Sequence, residues 1–212
     1  MNPSSTLATP LLSARRLAFS RNDEPVFGPL DFSLGRGETL LVEGDNGSGK
    51  TTLLRVLAGM LPATTGDIEV DGNPSSRDNR NGRVLWLGHR SGMHAALSAR
   101  ENLTFLAGLY GARDGTTPAS AMQRVGIAAW LDEPLNTLSA GQKKRVGLAR
   151  LLLLPGAIWL LDEPYANLDR HGIVLVNALI AEHCGAGGAA LLTSHGAVRF
   201  ADPRARHIHL DT

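Results

Sequence analysis

A single cysteine, Cys184, stands in 212 residues, so no disulfide can close within the chain, and this usage fits a reducing compartment. Neither sign of charge is in excess. The formal net charge is +1, which supplies no basic field for a nucleic-acid partner. No apolar run reaches the ~18 residues of a membrane span; the longest, "LLLLPGAIWLL", is broken by Pro155 and Gly156 and follows Arg150. The opening "MNPSSTLATPLLSARR" has no basic stretch leading into a long apolar one, so no secretory leader is expected. Repeats, coiled-coil heptads and low-complexity tails are also missing. What is present is an ordinary globular composition, 43% hydrophobic. Its length makes one domain, with room for a subdomain and a real core. The expectation is a soluble chain that can sit against a membrane protein.

Along the chain, "LLSARRLAF" and "PLDFSL" read as two short strands joined by the polar turn "SRNDEP". "ETLLVEG" is a buried strand entering a glycine-rich turn, and "TTLLRVLAGM" is the helix behind it. Pro62 and "PATTGD" end that helix. "DIEVDG" reads as a strand, "NPSSRDNRNGR" as an exposed loop and "VLWLG" as an apolar strand. A helical pattern runs from Ser98 to about Val125, interrupted by "GARDGTTPAS". "LSAGQKKRVGLARLLLL" follows as a helix, "AIWLL" as a buried strand, "IVLVNALIAEH" as a helix and "GAALLTSH" as another strand. Strands alternating with helices imply a parallel sheet covered on both faces.

"GDNGSGKT", Gly44 to Thr51, fits G-x-x-x-x-G-K-[ST] without a gap. Gly44, Gly47 and Gly49 let backbone N–H groups converge on phosphates, with Asp45, Asn46 and Ser48 between them. Lys50 reaches the β- and γ-phosphates, Thr51 can ligate magnesium, and Thr52 follows in the helix. The strand before and the helix after supply the context the motif needs. Far downstream, "AIWLLDEP" ends an apolar strand in two carboxylates. At the C-terminal end of a parallel strand these face the crevice where ligands bind. Asp162 is placed to hold magnesium, and Glu163 to take a proton from the attacking water. "LLTSH" repeats the arrangement with His195 at a strand end, placed to meet the γ-phosphate or orient water. The pair His207 and His209 shows no metal-ligand spacing with cysteines or acids.

"LSAGQKKR" opens a helix, with Ser139 and Gln142 at capping-box spacing. A helix N-terminus favours anions, which makes a second anion site remote from the first. The basic "KKR" reads as a solvated helix face.

"GDNGSGKT", "LSAGQ", "LLDEP", "ANLD" and "TSH" stand in the order and approximate spacing of the ATP-binding subunits of ABC transporters, and the resemblance covers nearly the whole chain. It implies an α/β P-loop NTPase fold: a RecA-like core, a small antiparallel β subdomain and an inserted helical signature subdomain at about 97–150. It also implies ATP and Mg2+ as cofactors. Two copies would face head to tail, so Ser139, Gly141 and Gln142 cap the ATP held by the other copy's loop. Two positions depart from the usual pattern. His89 stands where most members carry glutamine; it either hydrogen-bonds water near the γ-phosphate or is drift. Where an aromatic ring commonly stacks on adenine, the alignment gives Arg21, with Phe19 two residues earlier. A guanidinium can also lie on a π-face.

"LGH", "GPLDFSLGRGE", "LSAGQKKRVGLARLLL" and "WLLDEPYANLD" narrow the resemblance to the ATPase subunit of the bacterial haem-exporter-type complex of cytochrome c maturation. That resemblance implies a peripheral subunit on the cytoplasmic face of the inner membrane, partnered by an integral membrane protein. No nucleic acid is expected, given the balanced charge, and no direct haem binding, since there is no C-x-x-C-H and no axial ligand pair. The rival is the ATPase of another small ABC exporter. A chromosome- or repair-type clamp would need a long coiled coil between the loop and "LSAGQ". A translation factor would need two such domains, and a simple kinase has no use for "LSAGQ".

Overall fold

The computed structural model describes residues 8–88, 92–194 and 202–210. It contains an antiparallel sheet and a parallel one. The first is built from β1 (Leu12–Arg21), β2 (Glu24–Leu34), β4 (Thr65–Val70) and β5 (Asn73–Pro74), in the order β2-β1-β4-β5. The turn between β1 and β2 is tighter than the six-residue turn read from the sequence. Only Asn22 and Asp23 lie outside the strands, both at positive φ, 51° and 64°. Two consecutive left-handed residues match the twist of a hairpin, and Asn and Asp tolerate that region.

The second sheet has β3 (Thr39–Glu43), β6 (Val84–Leu87), β7 (Ile158–Leu161), β8 (Ala189–Thr193) and β9 (Arg206–His209), all parallel, in the order β6-β7-β8-β3-β9. Side chains alternate across it. Leu40, Val42, Ile158, Leu160 and Leu191 face one core, shared with α1 (Lys50–Leu57) and the antiparallel sheet. Leu41, Trp159, Leu161 and Leu192 face the other core. That second core is closed by α3 (Ala99–Tyr110), α4 (Pro118–Arg124), α5 (Ala140–Leu153) and α6 (Arg170–Gly185). The P-loop NTPase architecture is therefore present, with a small antiparallel sheet beside it.

Two differences from the sequence reading have local causes. "NPSSRDNRNGR" is not all loop: β5 pairs with β4, and a one-turn helix, α2 (Arg77–Arg80), starts at a Ser76–Asn79 capping box. The strand β9 carries only one apolar residue, Ile208, between polar ones. Its half-exposed edge position explains why no apolar run marks it.

One buried titratable group makes stability depend on pH. His183, near the C-terminal end of α6, stacks on Trp159 with ring centroids 3.9 Å apart and planes 6° from parallel. Its Nε2–H donates to the Ala157 carbonyl at 3.0 Å. Burial pushes its pKa down from 6.5 to about 4. The unfolded chain thus binds a proton that the native one refuses between these values. The contribution, on the order of 3 kcal/mol, is complete above about pH 6.5 and is lost as pH falls toward 4. Urea midpoints should drop between pH 7.5 and 5, and His183→Asn should flatten that drop. Equal slopes in the two proteins would remove His183 as the cause.

Candidate functional site

The loop after β3 turns sharply because its glycines allow it. Gly44 has φ +145°, and a Cβ there would lie 2.6 Å from the Leu210 carbonyl and 2.6 Å from Ser48 Oγ. Gly49 has φ +91°, and its Cβ would meet the Val26 carbonyl at 2.8 Å. No side chain larger than glycine fits either position. Asp45, Asn46 and Gly47 form the exposed crest, while Ser48 and Lys50 are buried, 1% and 5% exposed. Lys50 Nζ lies under the arch and donates to the carbonyls of Gly44 and Asp45 at 2.6 and 2.7 Å. Among the described residues the buried Ser48 hydroxyl has no hydrogen-bond partner. A buried ammonium and an unsatisfied buried hydroxyl at the head of α1 are groups whose chemistry suits phosphate oxygens.

The acidic pair lies beside it. The Asp162 carboxylate is 1% exposed. Its Oδ1 accepts from the Thr51 hydroxyl at 3.1 Å and from the Thr193 hydroxyl at 3.0 Å. The fold thus joins residues 111 positions apart, because β3 and β7 flank β8 in the same sheet. Thr51 and Asp162 place two hard oxygen donors 3.1 Å apart, the donor type that would hold a magnesium ion. Glu163 follows in a left-handed conformation, φ 47°, which costs a non-glycine residue roughly 1–2 kcal/mol. Surrounding contacts hold it there: its N–H donates to Thr193 Oγ1 at 2.9 Å, and its carbonyl accepts from Lys144 Nζ at 2.9 Å. Thr193 and Lys144 were missed in the sequence. Thr193 could have been flagged as the first polar residue ending an apolar strand.

Lys144 corrects the reading of "KKR" as a solvated face. The inward side of α5 includes Lys144, Val146 to Ala149, Leu151 and Leu153. Lys144 is 9% exposed, and burial lowers its pKa, an effect that the charges of Asp162 and Glu163 oppose. Arg145 is also engaged, donating to the Val125 carbonyl at 2.7 Å and lying 3.6 Å from Asp169 Oδ1.

The start of α5 is the expected capping box. Ser139 N–H donates to Gln142 Oε1 at 2.8 Å, and Gln142 N–H to Ser139 Oγ at 3.2 Å. Gly141 permits a close approach, since a Cβ there would sit 3.0 Å from the Asn167 carbonyl. Among the described residues, no hydrogen bond joins Ser139, Gly141 or Gln142 to residues 44–52. Arg21 is exposed at the tip of the β1–β2 hairpin, and Phe19 stacks on Phe27 at 6.2 Å. It is Val26 and Phe27 that touch the loop, at Gly49. Glu43, just before the loop, holds His207 Nδ1 and His209 Nε2 each 3.1 Å from its Oε2, so these histidines have a carboxylate partner the sequence did not suggest. His89 and His195 lie outside the described residues.

Comparison with known proteins shows the family and the fold. The ABC transporter family profile matches residues 27–166. The cytochrome c biogenesis ATP-binding export protein CcmA of Xanthomonas campestris pv. campestris is 56% identical over 204 residues, 96% of this chain and 95% of that protein. The protein of the same name from Pseudomonas putida is 43% identical over 186 residues, 87% of this chain and 89% of its own. A putative ABC transporter ATP-binding protein from Pyrococcus furiosus shares the fold with a TM-score of 0.79 at 26% identity, covering 94% of this chain and 96% of that one. So does the ATP-binding cassette MJ0796, solved as a dimer in a post-hydrolysis state with ADP and Pi. Its TM-score is 0.78 at 20% identity, with 94% of each chain covered. The chain belongs to the ABC transporter family of ATP-hydrolysing subunits, in the group that contains the cytochrome c biogenesis ATP-binding export proteins.

Proposed function

We propose that this chain is the ATPase of an export complex for c-type cytochrome biogenesis, coupling ATP binding and hydrolysis to haem handling by a separate integral membrane subunit. The observation that carries the reading is identity of 56% across nearly the full length to a cytochrome c biogenesis ATP-binding export protein, and it is supported by the contact of Thr51 with Asp162 beside the glycine-rich loop. The loop from Gly44 to Thr52 holds the phosphates, and Lys50 offsets their charge. Thr51 and Asp162 would hold Mg2+, which when bound supplies charge neutralisation at the phosphates. Glu163 accepts the proton of the attacking water, and His195 meets the γ-phosphate or orients water. Ser139, Gly141 and Gln142 act on ATP held by a second copy. Arg21 or Phe19 lies against adenine, and His89 relays nucleotide occupancy toward the membrane subunit. Residues 97–150 form the helical signature subdomain. Among the described residues no helix is long and apolar enough to cross a membrane, so the membrane subunit would carry the spans and this chain would sit at its cytoplasmic face.

Deleting the gene from its own organism should abolish haem-stained c-type cytochromes. The wild-type gene should restore them and the Glu163→Gln form should not. Normal cytochromes in the deletion strain would assign the ATPase to another exporter.

A further inference from the structure

Two features of the site meet at one residue. Glu163 is held in a left-handed conformation, φ 47°, immediately after the buried Asp162. Its peptide groups are gripped from two elements: the N–H by the Thr193 hydroxyl at the end of β8, and the carbonyl by Lys144 Nζ at 2.9 Å. Lys144 belongs to α5, five residues after the N-cap Ser139. The helix that presents the signature at its tip therefore reaches, in its second turn, the main chain of the acid at the hydrolytic site of the same subunit. Burying an ammonium is costly unless it is well bonded. A purely apolar contact at this position of α5 would be met by an apolar side chain, as at Val146, Leu148, Leu151 and Leu153.

We propose that Lys144 is a positioning residue for hydrolysis: its ammonium fixes the backbone of Glu163 so that the carboxylate stays aimed at the attacking water. It thereby ties the signature helix to the base of its own subunit. Displacement of α5, as when its tip engages a nucleotide on another copy, is transmitted along a rigid helix to the Glu163 carbonyl. The proposal rests on Glu163 being the general base. Lys144 touches neither nucleotide nor water in this scheme; it acts through Glu163.

The test compares Lys144→Met, close in shape but without the donor, with Lys144→Arg, which keeps a charged donor. ATP turnover is followed over a range of ATP concentrations, and folding by thermal melting. Lys144→Met should lower kcat ~10- to 100-fold, the scale expected when a reacting group is misplaced, while KM for ATP stays within about threefold. Lys144→Arg should recover most of the loss. In the Glu163→Gln background, Lys144→Met should have no further effect on the residual rate, because both changes act on one group. A normal kcat in Lys144→Met, or a multiplicative loss in the double variant, overturns the proposal while leaving Glu163 as base. Near-normal turnover by Glu163→Gln alone overturns the base and the proposal together. Should Lys144→Met fail to fold, Lys144→Leu, also apolar and without a donor, carries the same comparison.

Discussion

Glu163→Gln should hydrolyse ATP ~10²- to 10⁴-fold more slowly than the wild type while binding it nearly as well. The amide keeps the size and the hydrogen-bonding reach of the carboxylate but cannot accept a proton at neutral pH. Nothing in the phosphate cradle changes: Lys50, Ser48 and the Thr51–Asp162 contact all lie on other residues. Because the backbone at Glu163 is fixed by Thr193 and Lys144, the variant side chain occupies the native position, so the loss reports chemistry rather than misfolding. Binding without turnover should trap the nucleotide-bound pair, visible in size-exclusion chromatography as an ATP-dependent dimer. Near-normal turnover would take the role of base away from Glu163.

The parts of this site that could be read from the chain are those in which function is written in consecutive residues. A phosphate loop needs its glycines, lysine and threonine within eight positions. A capping box needs Ser139 and Gln142 three apart. The acid pair follows directly on its apolar strand. In each case the local spacing dictates the local geometry, and the structure bears it out in the Gly44 and Gly49 turns and in the Ser139–Gln142 bonds. Lys144 was misread for the opposite reason. A lysine between a lysine and an arginine has the composition of a surface, and only the packing of α5 against its neighbours turns position 144 inward. Arg145, likewise, finds Val125 and Asp169 only after α4 and α6 are in place. The strand β9 and the contact of His207 and His209 with Glu43 depend on parallel pairing with the distant β3, and the His207–Glu43 bond spans 164 residues, which no periodicity could announce. The short hairpin at Asn22–Asp23 was legible in principle, since that dipeptide favours left-handed turns. It was blurred by the polar residues flanking it.

The second large effect concerns how the phosphate loop and the signature cooperate. Lys50→Ala removes a buried ammonium from the loop, together with charge-assisted bonds to phosphate, and should bind ATP far more weakly. Ser139→Arg replaces the capping hydroxyl at the tip of α5 with a long cation, and should leave ATP binding to the loop intact but remove hydrolysis. Each variant alone should be inactive, for different reasons. In a head-to-tail pair each nucleotide lies between one copy's loop and the other's signature. A mixed pair then keeps one site with both parts intact and one with both parts damaged.

Steady-state ATPase activity of Lys50→Ala and Ser139→Arg subunits, measured singly and across mixing ratios, is the most direct test of two copies sharing each ATP. At equal amounts with random pairing, half the pairs are mixed and each has one working site. Activity should therefore peak near equimolarity at about a quarter of the wild-type value, and fall to nothing at either end of the series. Activity that stays absent at every ratio, with mixed pairs demonstrated by differential tagging, would contradict the shared site and return the signature to its own subunit.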